Sequence, residues 1–237
     1  MTLLVIEHQA SCPPGRVGDW LTGAGVALDV RRPYLGDELP ADLIDHAGLL
    51  VLGGAMGCRD DETAPWLPAV RELIVTAAEG ATPTLGICLG HQLATVALGG
   101  DVARDPRGRT VGVLTVVGGQ DLDDDEVFAA ASSGVVTQWN DDIVTALPPG
   151  ARALASNDRG DLLLARLAPT VWGVQGHPEA DLDIVTQWAA TDYGSRPGPP
   201  APAGVDLPTA LRQIDAAQPQ VDATWRPVLL AFAGLLA

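Results

Sequence analysis

Pro83-Thr84-Leu85-Gly86-Ile87-Cys88-Leu89-Gly90-His91-Gln92 is the stretch on which the reading of this chain turns. A short apolar run, Thr84 to Ile87, reads as a buried strand, and Leu89 to Leu98 reads as a helix that follows without a loop. Between them stands Gly-x-Cys-x-Gly. A strand running through that pattern straight into a helix is the pattern of a nucleophile elbow, with Cys where hydrolases often have Ser. The sharp turn holds the nucleophile in a strained backbone geometry, and the flanking glycines let neighbouring backbone come close. The N-terminus of the helix beyond favours a thiolate and leaves backbone N–H groups unpaired. The same letters also fit a structural Cys packed between two glycines, so a second group has to be found before the segment means chemistry.

That group is offered by Val171-Trp172-Gly173-Val174-Gln175-Gly176-His177-Pro178-Glu179. A strand delivers His177 at its end, and Glu179 follows two residues on. A thiol needs a base to take its proton and return it to the leaving amine, and the base needs a partner that fixes its tautomer. Alone, His-Pro-Glu reads as a surface turn; with the elbow it reads as the rest of a triad. A third segment, Leu52-Gly53-Gly54-Ala55-Met56-Gly57, follows another buried strand. It is either an ordinary turn or a source of a backbone N–H for an oxyanion.

The elements around these segments alternate. Leu3 to Ile6 and Leu49 to Leu52 are apolar on every residue, as suits parallel strands covered on both faces. Val17, Trp20, Leu21 and Ala24 recur at helical spacing, Val26 to Val30 reads as a strand, and Trp66, Val70, Leu73, Ile74 and Ala77 mark an amphipathic helix. Such alternation predicts an α/β fold of three layers, a mostly parallel sheet with helices on both faces. From about 101 to 175 the helical period fades into short strands at Val111 to Val117, Val135 to Gln138, Arg152 to Ala155, Leu162 to Arg166 and Val171 to Gln175, an antiparallel addition to the sheet. The acidic run Asp121 to Glu126 reads as a solvated helix start, with a cation site as the alternative. Residues 1–193 form the expected catalytic domain, 194–206 a Pro/Gly-rich linker, and 207–237 a helical extension of two short helices, Leu207 to Ala217 and Ala223 to Leu236.

Composition narrows the partners. The 237 residues carry a formal charge of −16, and every basic residue is Arg. So acidic a chain is repelled by phosphate backbones and anionic lipid, which argues against nucleic acid and membrane surfaces. Cys12, Cys58 and Cys88 match no zinc spacing, and the four histidines are scattered, so no metal is expected. The N-terminus has no signal-peptide pattern and no apolar run reaches the ~20 residues of a membrane span, so a cytoplasmic protein with reduced thiols is expected. Cys12, Cys58, His8 and His91 read as packing or loop residues.

Taken in order, strand-Gly-Gly, Gly-Ile-Cys-Leu-Gly-His-Gln and Gly-Val-Gln-Gly-His-Pro-Glu resemble the class I, or triad, glutamine amidotransferases, and among them stand-alone relatives of the amidotransferase domain of GMP synthase. The resemblance runs over roughly residues 1 to 192. It extends to Leu98-Gly99-Gly100, Pro106-Arg107-Gly108 and Leu147-Pro148-Pro149-Gly150-Ala151. It implies a flavodoxin-like core, no cofactor, and a triad of Cys88, His177 and Glu179 that attacks the side-chain amide of glutamine to give a γ-glutamyl thioester and ammonia. It also implies an oxyanion hole from the N–H groups of Gly54 and Leu89, and a substrate pocket with Gln92, Gln138, Trp139 and Asp141. Three positions depart from the family: Asn140 stands where His is common, Thr110 where Glu is common, and Gly176 where a bulkier residue usually precedes the His. The first two bear on substrate recognition and on communication with a partner; Gly176 is expected to open the pocket near the base.

No ATP-binding motif is visible in the chain. The expected function is therefore a glutaminase whose ammonia goes to a separate acceptor enzyme. The alternative is a self-sufficient hydrolase of another γ-glutamyl amide, and an idle, regulatory site comes third. Self-association is left open.

Overall fold

The computed structural model describes residues 1–193 and 206–236. In chain order, β1 (Thr2–Ile6), α1 (Gly15–Gly23), β2 (Ala27–Arg31), β3 (Gly48–Val51), α2 (Leu67–Glu79), β4 (Thr84–Ile87) and α3 (Leu89–Ala97) make the alternating part. There follow β5 (Asp101–Arg104), β6 (Thr110–Thr115), β7 (Val117–Gly118), α4 (Gln120–Asp123), β8 (Val135–Asn140), β9 (Asp142–Ala146), β10 (Arg152–Ser156), β11 (Leu162–Ala168) and β12 (Val171–Val174). The helices α5 (Leu182–Tyr193) and α6 (Leu207–Gly234) complete the chain.

The main sheet has eight strands in the order β2-β1-β3-β4-β12-β11-β10-β7. The first five are parallel, and from β12 outward each strand pairs antiparallel with its neighbour. The expected α/β architecture with an antiparallel addition is thus present. Not every strand of the second half joins that sheet: β6 pairs with β8, and β5 with β9, in separate two-stranded ribbons. Side chains alternate across each central strand, so consecutive residues enter different layers. Leu3 and Val5 of β1, with Leu50 and Leu52, pack among residues of α1 and α6. Leu4 and Ile6, with Leu49 and Val51, pack among residues of α2 and α3. Strands that are apolar throughout are explained by this burial on both faces.

The C-terminal segment differs from expectation. It is one helix, α6, of 28 residues that continues through Pro219 and Pro227. A proline inside a helix removes a hydrogen bond and clashes with the preceding turn, at roughly 3 kcal/mol. The apolar stripe Ile214, Val221, Trp225, Val228, Leu229 and Phe232 is buried, and burial of that size offsets the cost. Trp225 meets Phe128 edge-on at 6.2 Å and donates its indole N–H to the Val135 carbonyl at 2.9 Å. The linker expected at 194–206 lies outside the described residues except for Asp206, which stands at the N-cap position of α6.

The acidic run is only partly the solvated helix start it resembles. Asp121 and Asp123 do occupy the first turn of the short helix α4. Asp125 instead is buried, and its Oδ1 accepts from the Val127 and Phe128 amides at 3.0 and 2.9 Å and from the Trp172 indole at 3.2 Å. It is a structural carboxylate that caps a chain turn.

Candidate active site

The carboxyl ends of β3, β4 and β12 meet at one edge of the sheet, where α/β folds gather their ligands. Between β4 and α3, Cys88 adopts φ 49° and ψ −103°, a positive-φ conformation that non-glycine residues rarely take. Its amide donates to the Val174 carbonyl at 2.8 Å, which ties the turn to β12. The two glycines of Gly-x-Cys-x-Gly are needed because the backbones touch. A Cβ on Gly90 would stand 2.0 Å from the Val51 carbonyl oxygen, and one on Gly86 would stand 2.5 Å from the Gly90 carbonyl.

His177 follows β12, and its amide donates to the Thr137 carbonyl at 2.7 Å. Its Nδ1 lies 2.7 Å from Oε1 of Glu179, and its Nε2 lies 3.3 Å from the Trp139 carbonyl oxygen. The ring packs on Trp188, centroids 4.6 Å apart. Both His177 and Glu179 are buried. Burial works to lower the basicity of the imidazole, but the charges of Cys88 and Glu179 outweigh it and hold His177 well above the ordinary histidine range. The Gly53 backbone closes this corner, since a Cβ there would stand 3.2 Å from His177 Cε1 and 3.8 Å from Cys88 Cβ. A thiol beside an imidazole that is steadied by a buried carboxylate can be activated as a nucleophile.

A cleft of about 280 Å³ opens over these residues. Gly54, Gln92, Trp139 and Asp141 line it together with Cys88 and His177. Leu89 is buried as the first residue of α3. Gln138 does not line the cleft: its side chain is turned into the protein, where Oε1 accepts from Asn157 Nδ2 at 3.0 Å. Strand alternation explains this correction, because Trp139 next to it faces the opposite way. Gly176 also corrects expectation. A Cβ there would stand 2.6 Å from Val136 Cγ2 and 3.1 Å from the Thr137 carbonyl oxygen, so the glycine admits a close crossing with β8 and opens no space. Thr110 accepts from Arg159 Nη1 at 2.7 Å, and Asn140 donates to the Asp142 carbonyl at 3.1 Å.

Other cleft residues carry no local sequence signal. Gln9 accepts from the Ala55 amide at 3.0 Å and donates to Cys12 Sγ at 3.3 Å, so the loop after β1 is joined to the Gly-Gly loop. Cys12 lies in the cleft wall, where burial first, and then the nearby charges of Glu179 and Cys88, push its thiol up. At the rim Arg109 forms ion pairs with Asp141 and with Asp192 of α5, and the Trp139 indole also donates to Asp192, at 2.9 Å. Arg104 pairs with Asp141 at 3.2 Å. His8, Cys58 and His91 are buried outside the cleft lining. Among the described residues no group of three or more His, Cys, Asp or Glu side chains is placed to hold a metal ion. No described helix is long and apolar enough to cross a membrane.

Fold and site together define an α/β protein with a cysteine at a strand-to-helix elbow. The chain belongs to the glutamine amidotransferase class-I family, whose model matches residues 23–185. It is 28% identical over 195 residues to the glutamine amidotransferase-like protein chry6 of Gibberella zeae, which covers 80% of this chain and 74% of that one. It is 26% identical to γ-glutamyl peptidase 3 of Arabidopsis thaliana over 61% of this chain and 59% of that one. Several curated relatives are thus matched over less than two thirds of their own length. Among solved structures, a glutamine amidotransferase from Methylobacillus flagellatus superposes with a TM-score of 0.87 at 26% identity, covering 100% of this chain and 95% of the other.

Proposed function

We propose that this protein is a glutamine amidotransferase-type amidohydrolase with Cys88 as nucleophile. The observation that carries the reading is the meeting, in one cleft, of a strained elbow cysteine and a buried His177 whose Nδ1 is held by Glu179. In this reading His177 takes the Cys88 proton and the sulfur attacks the side-chain carbonyl of glutamine. The oxyanion is held by the amides of Gly54 and Leu89. Collapse expels ammonia, protonated by His177, and leaves a γ-glutamyl thioester. Water, activated by the same imidazole, then releases glutamate and restores the thiol. Gln92, Trp139 and Asp141 would contact the amino-acid part of the substrate. Residues 1–193 would carry all of the chemistry and the C-terminal helix would close the core, with the ammonia passing to a separate acceptor enzyme.

A second reading is hydrolysis of a γ-glutamyl amide with a larger leaving amine. It is supported by the extent of the cleft, whose lining runs outward past Cys88 to Trp188, Arg104 and Arg109, and by the likeness to a γ-glutamyl peptidase.

The test is release of ammonia and glutamate from L-glutamine by the purified protein and by Cys88→Ala. The expected outcome is release by the parent protein and a loss of about 10⁴-fold or more in the variant, with circular dichroism unchanged. Release only from larger γ-glutamyl amides would favour the second reading. Turnover by Cys88→Ala would overturn the role of Cys88 in both.

A further inference from the structure

Behind the nucleophile runs a line of buried amides that the triad does not use. Gln175, the residue after β12, is buried, with its backbone amide anchored on the Leu163 carbonyl at 2.9 Å. Its side-chain Nε2 lies 3.6 Å from Cys88 Sγ, within hydrogen-bond reach of sulfur with its large radius. Its Oε1 lies 3.2 Å from Gln92 Nε2, and that same Nε2 lies 3.2 Å from the backbone carbonyl oxygen of Asp142.

The direction of the whole line follows from its far end. A backbone carbonyl can only accept, so the Gln92 side chain must present its NH2 group to Asp142. That NH2 group also faces Gln175, which must therefore answer with its carbonyl oxygen. The NH2 end of Gln175 is then left facing the sulfur. A hydrogen-bond donor there stabilises a charged sulfur more than a neutral one, because hydrogen bonds to charged groups are the stronger kind.

We infer that Gln175 is a hydrogen-bond donor to the Cys88 sulfur, oriented through Gln92 by the Asp142 carbonyl, and that it stabilises and aims the attacking thiolate. The inference rests on the reading of Cys88 as nucleophile. It adds a second side-chain group, besides His177, to the reacting sulfur. It also joins Gln92, at the cleft wall, to the nucleophile through one intervening side chain.

The test compares Gln175→Met, which removes the donor at similar volume, with Gln175→Glu, which puts an acceptor in its place. Two readouts are taken. One is the rate of Cys88 alkylation by iodoacetamide between about pH 5 and 9 without glutamine, resolved from Cys12 and Cys58 by peptide mass spectrometry. The other is kcat and KM for whichever amide the parent protein turns over. Gln175→Met is expected to slow Cys88 alkylation near neutral pH by about 10-fold, to move the profile to higher pH, and to lower kcat by roughly 10- to 100-fold with KM little changed. Gln175→Glu is expected to be more severe in both; should it fail to fold, Gln175→Met decides alone. An unchanged alkylation profile and kcat in a folded Gln175→Met protein, with Cys88 still the reactive thiol of the parent, would overturn this inference and leave the proposed function standing. A parent protein whose Cys88 is no more reactive than Cys12 and Cys58 would overturn both.

Discussion

Cys88 sits in a backbone conformation that costs a non-glycine residue on the order of 1–3 kcal/mol, and the surrounding contacts are what keep it there. The Cys88 amide on Val174, the Gln92 amide on the Cys88 carbonyl, and the direct contact of Gly90 with β3 hold the turn from three sides. Gly90 is the least replaceable of these residues. An added Cβ would press on the Val51 carbonyl, a backbone atom in the centre of the sheet that has no rotamer in which to escape. Gly90→Ala is expected to lower stability by about 1–3 kcal/mol in urea unfolding and to reduce activity more than the change in folded fraction explains, because α3 must shift and carries Cys88 with it. Unchanged stability and kcat would show that the turn does not depend on this crossing.

At the scale of elements, α6 is the clearest case of tertiary context overriding local preference. Two internal prolines argue for a break, yet the helix runs on because its apolar stripe caps the layer formed by β1, β4, β12 and α1. Trp225 is the centre of that stripe, with Phe128 on one edge and the Val135 carbonyl on its indole N–H. Trp225→Ala is expected to destabilise the protein by about 3–5 kcal/mol, read from the urea midpoint. In the fraction that stays folded, kcat is expected to be unchanged, because Trp225 does not line the cleft. A loss under about 1 kcal/mol would mean that α6 is an appendage of the core. The other long-range element is α5, whose Asp192 meets both Arg109 and the Trp139 indole and so ties the end of a helix to the wall beside His177.

Over the whole molecule, two imidazoles buried away from the cleft shape the response to mild acid. Burial lowers His8 and His91 from the ordinary value of 6.5 to about 4. His8 accepts from the Trp66 indole at 3.0 Å, and neither ring nitrogen of His91 has a partner among the described residues. Between pH 6.5 and 4 the unfolded chain binds two protons that the folded chain refuses. The contribution of these two groups to stability is therefore complete above pH 6.5 and is lost as pH falls through that window, by up to about 2.7 kcal/mol per pH unit. His177, held above the ordinary range, has the opposite sign: its contribution is full at low pH and is lost only as pH rises through its raised value. It does not mask the acid limb. Urea midpoints measured across this range should fall towards acid, and His91→Met should roughly halve the slope. A slope unchanged in that variant would mean that His91 titrates normally when folded.

What the sequence by itself determined is local and periodic. Runs such as Leu3 to Ile6 specify strands buried on both faces because every residue is apolar, and the elbow is legible because a turn that tight demands its glycines at fixed spacing. The Cys88, His177 and Glu179 candidates were legible for the same reason: Cys88 directly follows β4, and His177 and Glu179 stand in one short motif after β12. Only the tertiary structure decided which residues share the cleft. Gln138 and Trp139 are adjacent in the chain, yet one faces Asn157 and the other the cleft, since a strand sends neighbours to opposite sides. Gly176 suggests space in the sequence but is filled by Val136 of another strand. Cys12, Arg109, Trp188 and Asp192 reach the site from loops and a helix far apart in the chain. No spacing rule connects them, because their meeting is set by how the layers pack.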